Sequence, residues 1–348
     1  MGNSSDHPET AIGLRKNPKE KSVKRKLFIL VGATLLFAVS IAVFQTTSAF
    51  SAQSTAKYPA KGIEMIVGFE PGSGSDTTTR AFMPFVSKVL GQPITILNLP
   101  GAGGVLGWNA TAKAKTDGYT LGYSPMPSLF NLAVLAKVNY DPLNSFAWLG
   151  QIALDPVALT VKADGPYKTL NEFIAAAKKA PGKVTIGATG KSSIDHTIGL
   201  GIEKAKGVKF NIVNFDGTPQ GITAVLGENL SAMGMNASTS LPYVKAGQLR
   251  TLAVGGDKPF PGLPDVPTFK SQGIDLYAQG VYRGFMVPKG VPAGVYNTLV
   301  GAVKAASQDP QWKAQAEKMG LPLLYIPPEE TAVLARQLNE AAKIYLAK

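Results

Sequence analysis

From Tyr58 onward, one unit recurs along the chain: a short apolar run, a glycine-rich turn and a helical stretch. The first unit predicts a buried strand at 63–69, a turn at 71–76 and a helix at 77–90, where apolar side chains recur at helical spacing. Further strands at 93–98 and 119–124 enclose a second turn and helix. Strands that alternate with helices form mostly parallel sheets covered on both faces. The repeat therefore predicts an α/β fold.

The same pattern starts again in the second half of the chain. A strand at 184–188 precedes a turn at 189–193 and a helix that ends near Glu203. The remaining elements are strands at 210–215, 230–235, 249–254 and 281–287, and helices that end at 226 or cover 293–306 and 329–347. We therefore predict two Rossmann-like lobes with hinges near 155–163 and 280–285.

These patterns divide the chain into five segments. They are a signal peptide at 1–49, a flexible N-terminus of the mature chain at 50–57, lobe one at 58–158 and 285–348, and lobe two at 159–284. Two open α/β lobes direct their strand ends and helix starts toward a shared crevice. Helix starts offer unpaired N–H groups and a partial positive charge. We therefore expect an interlobe crevice that binds an anion, particularly a carboxylate.

The first 49 residues have the three parts of a secretory signal. A basic stretch at 24–26 precedes the uncharged apolar stretch 27–44, and small residues end at Ala49. We predict export to the periplasm and cleavage near Ala49. An uncleaved membrane anchor is the alternative, because an apolar stretch of this length is at the lower limit for spanning a bilayer.

Charge and cysteine content narrow the function. The 348-residue chain carries a formal net charge of +12, and residues 1–49 supply +4 of it, from seven basic and three acidic side chains. The other charges are interspersed, which disfavours nucleic-acid binding. The chain has no Cys, and only His196 remains after residue 49, so thiol chemistry and the usual zinc sites are disfavoured. We expect neither a metal nor a cofactor.

Two turns resemble catalytic or nucleotide-binding motifs without matching them. The turn at 71–76 fits neither a nucleophile elbow nor a dinucleotide loop, and Asp76 is expected to cap the next helix and pair with Arg80. The run 187–192 resembles the end of a phosphate-binding loop, but Thr185 stands where that motif needs Gly. His196 is more simply a packed or capping residue than a catalyst, since no nucleophile and acid accompany it.

Several motifs, in their order and spacing, closely resemble one family. They are IVGFEPGSGSD at 66–76, PGAGG at 100–104 with DGYTL at 117–121, LPDVPTF at 263–269 and GFMVPKGVP at 284–292. The chain resembles the extracytoplasmic solute receptors of the tripartite tricarboxylate transporter family, also called Bug-type proteins, from Tyr58 to near its end.

The resemblance implies a two-lobed periplasmic binding protein, similar to type II binding proteins, that closes on a small organic or aromatic acid. It also implies delivery of that acid to a permease with a large and a small membrane subunit, and we expect a monomeric receptor. In this family backbone N–H groups, hydroxyls and waters hold the carboxylate. The corresponding loop residues are Phe69, Gly72, Ser73, Gly74, Asp76, Thr77, Ser124, Thr189, Gly190, Ser192, Ser193, His196, Gly217, Thr218 and Pro219.

The chain departs from the family pattern where specificity is expected to be decided. Tyr282 stands where Trp is usual and Arg283 adds a cation, while Asp216 replaces a base. We include these three residues in the candidate site. Arg283 or Lys191 can pair with a second carboxylate of a ligand, whereas Asp216 can repel it or bind an amine or hydroxyl group.

The sequence thus favours a non-enzymatic carboxylate receptor that works by lobe closure. Two alternatives stay open at this point. One is a periplasmic hydrolase on the same architecture, and the other is a sensor receptor that presents its closed form to a signalling protein.

Overall fold

The computed structural model describes residues 58–346, so the predicted signal peptide and the stretch 50–57 lie outside the described residues. Ten strands occur within this range. They are β1 Ile63–Val67, β2 Ile94–Asn98, β3 Thr120–Tyr123, β4 Phe146–Lys162, β5 Thr185–Ala188, β6 Asn211–Asn214, β7 Ala232–Asn236, β8 Leu249–Val254, β9 Gly280–Pro288 and β10 Leu323–Ile326.

Ten α-helices alternate with these strands in the same range. They are α1 Gly74–Leu90, α2 Val105–Lys113, α3 Ser128–Leu135, α4 Leu170–Lys179, α5 Ile194–Lys206, α6 Thr218–Leu226, α7 Ala237–Lys245, α8 Ala293–Gln308, α9 Pro310–Lys318 and α10 Pro328–Leu346. The predicted elements are present with small shifts at their ends. The sequence patterns left β4, β10, α3, α4, α7 and α9 unassigned.

Two strands, β4 and β9, run through the centre of the molecule. One lobe has the strand order β2-β1-β3-β9-β4, with β10 also paired to β4. The other has the order β6-β5-β7-β4, with β8 also paired to β4. We call these lobe one and lobe two. The α/β fold with two lobes is the fold predicted from the repeat.

The long strand β4 connects the lobes by changing its partners. Its residues from Phe146 to Pro156 pair with β9, and those from Val157 onward pair with β7 and β8. Pro156 pairs with Gly280, the first residue of β9. The lobe boundaries and hinge positions stay predictions, and this change of partners lies next to them.

The expectation of a mostly parallel sheet is wrong for the centre of the molecule. The pairs β1–β2, β1–β3, β5–β6 and β5–β7 are parallel, as strand–helix repeats require. Every pair that involves β4 or β9 is antiparallel. In lobe one, β9 runs against β3, and β4 therefore runs in the same direction as β3; in lobe two, β4 runs against β7.

A side-chain cap fixes where α1, a helix beside the crevice, begins. Ser73 is the N-cap of α1, and its hydroxyl accepts a hydrogen bond from the N–H of Asp76 at 3.3 Å. Asp76 in turn accepts from the N–H of Gly72 at 2.9 Å and pairs with Arg80 at 2.9 Å. The predicted ion pair is therefore present, but the cap is Ser73 rather than Asp76.

Each lobe has its own apolar core. In lobe two, Phe173, Ile186 and Ile198 lie in a cluster of buried side chains between the sheet and its helices. In lobe one, Phe82 stacks on Phe285 with ring centroids 5.4 Å apart. These cores hold the strands rigidly, so the loops at their ends are presented on a fixed frame.

Candidate ligand-binding site

Five helices begin around one cavity of about 40 Å³ between the lobes. Residues at the starts of these helices line it: Ser73, Gly74 and Ser75 for α1, Ser128 for α3, Ser193, Ile194 and Asp195 for α5, Gly217 and Thr218 for α6, and Asn236 for α7. We call this the inner cavity. Because each helix start carries a partial positive charge, the inner cavity favours a negatively charged group.

Two of these helix starts have no side-chain cap among residues 58–346. They are the starts of α3 and α6, whose N-cap residues are Pro127 and Gly217. The start of α7 is capped from β4, because Oδ1 of Asp155 accepts a hydrogen bond from the N–H of Ser238 at 3.2 Å. Uncapped N–H groups at a helix start need another acceptor. A carboxylate in the inner cavity can supply it.

The wall of the inner cavity contains a buried ion pair. Arg283 and Asp155 have side chains that are 1% and 0% exposed, and Nη2 of Arg283 lies 2.6 Å from Oδ2 of Asp155. Nη1 of Arg283 donates a further hydrogen bond to the hydroxyl of Tyr123 at 3.0 Å. Burial lowers the pKa of Arg283, but the interactions with Tyr123 and Asp155 raise it by more, so the net shift is upward. Arg283 therefore stays a cation whose charge Asp155 already balances.

Asp195 is a second buried acid, in the first turn of α5. Its carboxylate accepts a hydrogen bond from the hydroxyl of Thr189 at 2.6 Å. Burial raises the pKa of Asp195 to about 6, against the opposing effects of Thr189 and Arg283. The carboxyl group therefore changes its charge close to neutral pH.

A second cavity, of about 100 Å³, adjoins the inner cavity and shares Phe69 and Thr189 with it. Gly190 and Asp216 line it, together with the glycine-rich turn 101–104. Asp216 is exposed there. A ligand that reaches from one cavity to the other would pass between Phe69 and Thr189.

The structure brings together eight of the predicted site residues at the inner cavity. They are Phe69, Ser73, Gly74, Thr189, Ser193, Gly217, Thr218 and Arg283. Gly72, Thr77 and Pro219 line a different interlobe groove of about 370 Å³, which Thr218 also borders. That groove is lined by the starts of two helices, α6 and α7, against five at the inner cavity. It also has two lysines, Lys245 and Lys318, and an apolar side formed by Ile222, Leu241 and Met319.

Five predicted residues line none of these three cavities. Asp76 is held by Arg80 and Asn98, and Ser124 is fully buried beside Gln151. Tyr282 packs against an apolar cluster of lobe one.

The other two, Ser192 and His196, lie at the start of α5. Nδ1 of His196 is 3.2 Å from Oδ1 of Asn214, and burial lowers the pKa of His196. This contact agrees with a packing role. The carbonyl of Ser192 accepts a hydrogen bond from Asn131 of lobe one at 2.9 Å.

Sequence reasoning missed several residues of the inner cavity. Ser128 follows Pro127 at a helix start, a pattern that favours a helix N-terminus and could have been found. Asp155 does not line the cavity but pairs with Arg283, which does; its place inside an apolar run could have marked it as a buried acid that needs a partner. Asp195, which follows the turn 189–193, is absent from the predicted site although it lines the inner cavity. Asn236 had no distinguishing sequence signal.

The lobes meet at close range around the inner cavity. A methyl group on Gly74 would lie 2.8 Å from Nη2 of Arg283 and 3.0 Å from Oγ1 of Thr239 in lobe two. A methyl group on Gly103 would lie 2.9 Å from Oγ of Ser192. Glycine at these positions therefore permits the lobes to approach this closely.

Neither a membrane span nor a metal site is found among residues 58–346. None of the helices there combines the length and apolar character needed to cross a bilayer. No group of three or more His, Asp or Glu side chains is placed to hold a metal ion in that range.

A two-lobed α/β fold with a cavity lined by helix starts between its lobes is the architecture of periplasmic solute-binding receptors. Residues 79–345 match the family model described as "Tripartite tricarboxylate transporter family receptor", and the chain belongs to this family. The resemblance seen in the sequence is thereby confirmed. Members of the family are periplasmic solute-binding receptors and not enzymes, which removes the hydrolase alternative.

Three similar proteins illustrate the relationship. A "UPF0065 protein in gbd 5'region" from Cupriavidus necator is 32% identical over 302 residues, which cover 86% of this chain and 91% of that protein. The periplasmic binding protein BugD is 25% identical with a TM-score of 0.77, covering 83% of this chain and 98% of BugD. MatC from Rhodopseudomonas palustris, solved with bound malate, has the same identity and coverage and a TM-score of 0.76.

Proposed function

We propose that this protein captures a small carboxylate in the inner cavity and delivers it to a tripartite tricarboxylate-type permease with two membrane subunits. The observation that carries the proposal is the convergence of five helix starts, two of them without side-chain caps, on one interlobe cavity. Such a site stabilises an anion without a dedicated cation. The malate bound to MatC, a protein of the same fold, supports this class of ligand.

The cavity-lining residues have separate roles in this proposal. Ser73 and Ser193 present hydroxyls beside the starts of α1 and α5. Gly217 and Thr218 offer the N–H groups at the start of α6. Residues of both lobes thus contact one ligand, so binding favours the closed arrangement of the lobes.

Export is part of the proposal. A receptor for an external solute must reach the periplasm, and the segment 1–49 has the composition of a cleaved secretory signal. Purification of the protein from the periplasm of an expressing host, followed by mass spectrometry, measures the cleavage site. We expect a mature chain that begins near Phe50.

The proposed function is tested by titration calorimetry of that periplasmic protein. The panel contains mono-, di- and tricarboxylates and aromatic acids, with a neutral sugar as control. We expect at least one acid to bind with a 1:1 stoichiometry and the sugar to give no heat. A folded protein that responds to none of the acids contradicts the proposal. Co-purification of the loaded receptor with the two membrane subunits tests delivery.

A further inference from the structure

A buried carboxylate lies in the wall of a cavity that favours anions. Asp195 is 5% exposed and lines the inner cavity. It is the second residue of α5, so it lies beside one of the five helix starts. A ligand carboxylate in this small cavity must therefore bind close to a second carboxylate that belongs to the protein.

The charges around Asp195 do not cancel. Arg283 on β9 is the cationic side chain in the cavity lining, and Asp155 on β4 already pairs with it at 2.6 Å. Lys191 is exposed and does not line the inner cavity, and His196 contacts Asn214. Once Arg283 and Asp155 are paired, Asp195 is the charged group of the lining that has no side chain of opposite charge bonded to it.

Neutral donors of the protein already lie beside Asp195. Its carboxylate accepts a hydrogen bond from the hydroxyl of Thr189 at 2.6 Å, and hydrogen bonds from the N–H of Thr189 and the side chain of Ser193 also lower its pKa. Among residues 58–346 no cationic side chain bonds to it, so its negative charge stays in the cavity wall without a counter-charge of its own. A second anion beside that charge is repelled, whereas a ligand group that donates a hydrogen bond to it is attracted.

Building on the proposed function, we infer that Asp195 selects acids that carry a hydrogen-bond donor, a hydroxyl or an ammonium group, close to the carboxylate that binds at the helix starts. Both donors share the chemistry that Asp195 recognises. Acids without a donor bind less tightly, because nothing in them offsets the repulsion between their carboxylate and Asp195.

Calorimetry on matched acids tests the inference. One series is propionate, lactate and alanine, and the other is succinate, malate and aspartate, so that the members of a series differ by no donor, a hydroxyl or an ammonium. The quantity compared is the ratio of two affinities within a series: that of the tighter-binding acid with a hydroxyl or ammonium group, and that of the plain acid. For the wild-type protein we expect this affinity ratio to be about tenfold or more in at least one series. In Asp195→Asn we expect the affinity ratio to fall below about threefold. The hydroxyl and ammonium members identify the donor that the protein prefers.

The control is Asp164→Asn, which alters a carboxylate that is 79% exposed on lobe two, and its ratio should equal that of the wild type. If Asp195 only supports the start of α5, Asp195→Asn will be less stable but will keep the wild-type affinity ratio. That result would overturn the inference. If Asp195→Asn does not fold, the wild-type affinities still test the inference. Equal affinities for donor-bearing and plain acids would overturn the inference and leave the proposed function standing. A wild-type protein that binds no acid of these two series and no acid of the wider carboxylate panel overturns the proposed function as well.

Discussion

Arg283 donates two hydrogen bonds to one carboxylate oxygen of Asp155, from Nε at 3.0 Å and from Nη2 at 2.6 Å. The hydroxyl of Ser238, in the first turn of α7, donates to the same oxygen at 2.5 Å. The pair therefore ties β9 to β4 and to α7 beside the point where the chain passes between the lobes. Because Asp155 balances Arg283, the proposed binding of an anion in the cavity depends on helix starts rather than on a free cation.

Removing one member of this pair should strongly destabilise the protein. Arg283→Met leaves Asp155 buried without its cation, and the loss of one partner of a buried ion pair costs about 3–5 kcal/mol. Urea unfolding measures the change. The matched control is Lys270→Met, which breaks an exposed pair with Asp257 and should leave the unfolding midpoint unchanged. Equal midpoints for Arg283→Met and the wild type would contradict the buried pairing.

The strand–turn–helix repeats could be predicted because their signals are local. The apolar run before Gly68 and the Ser73 cap are adjacent in sequence, so β1 and α1 were placed within a few residues of their observed ends. The strand β4 was missed because Gly150, Asp155 and Pro156 interrupt its apolar run like a loop. Those residues fit a strand here because β4 changes its partners beside Pro156.

The candidate site was predictable to the extent that it consists of turns before helices. Ser73, Ser193 and Thr218 are of this kind, and each lines the inner cavity. The pairing of Arg283 with Asp155 could not be predicted, because 128 residues separate the two side chains and no local pattern links them. Charge alone therefore suggested a ligand contact for Arg283, whereas tertiary packing gives it an internal partner.

Closure of the lobes should depend on the small size of Gly74. A methyl group at this position would press on Arg283 and Thr239, and such overpacking costs about 1–3 kcal/mol unless the lobes separate. We expect Gly74→Ala to weaken carboxylate binding about five- to a hundredfold in calorimetry. The control is Gly301→Ala on α8, where nothing lies within 4 Å. This change should raise stability by about 0.5–1 kcal/mol and leave affinity unchanged. Equal affinities for both variants would contradict the role of Gly74.

Asn131 should stabilise the closed arrangement, because it bridges the lobes. It is fully buried on α3 of lobe one. Its amide donates to the carbonyl of Ser192 at 2.9 Å, and its side-chain oxygen accepts from the hydroxyl of Tyr277, both in lobe two. Asn131→Leu leaves both partners unpaired on closure, which costs about 1–3 kcal/mol.

We expect Asn131→Leu to lower carboxylate affinity and to increase the radius of gyration measured by small-angle X-ray scattering. Asn297→Leu, at an exposed position of α8, is the control and should change neither value. Tyr277→Phe removes one of the two bonds and should have a smaller effect. An Asn131→Leu protein with wild-type affinity and size would exclude the bridging role.

The pH dependence of stability should reveal the buried carboxyl of Asp195. Its pKa is raised from 3.8 to about 6 in the folded protein because burial disfavours the charge. Between these values the folded state keeps a proton that the unfolded state has lost, so this group makes stability fall as pH rises through that window. The difference in pKa corresponds to a loss of roughly 3 kcal/mol in the free energy of unfolding at pH 7.5.

Asp195→Asn resembles the neutral form of Asp195 and lacks this loss of stability. In thermal unfolding without ligand, we therefore expect Asp195→Asn to gain stability relative to the wild type between pH 4 and pH 7.5. Other titrating groups cancel in this comparison because they are common to both proteins. A difference that is the same at both pH values would show that Asp195 titrates normally.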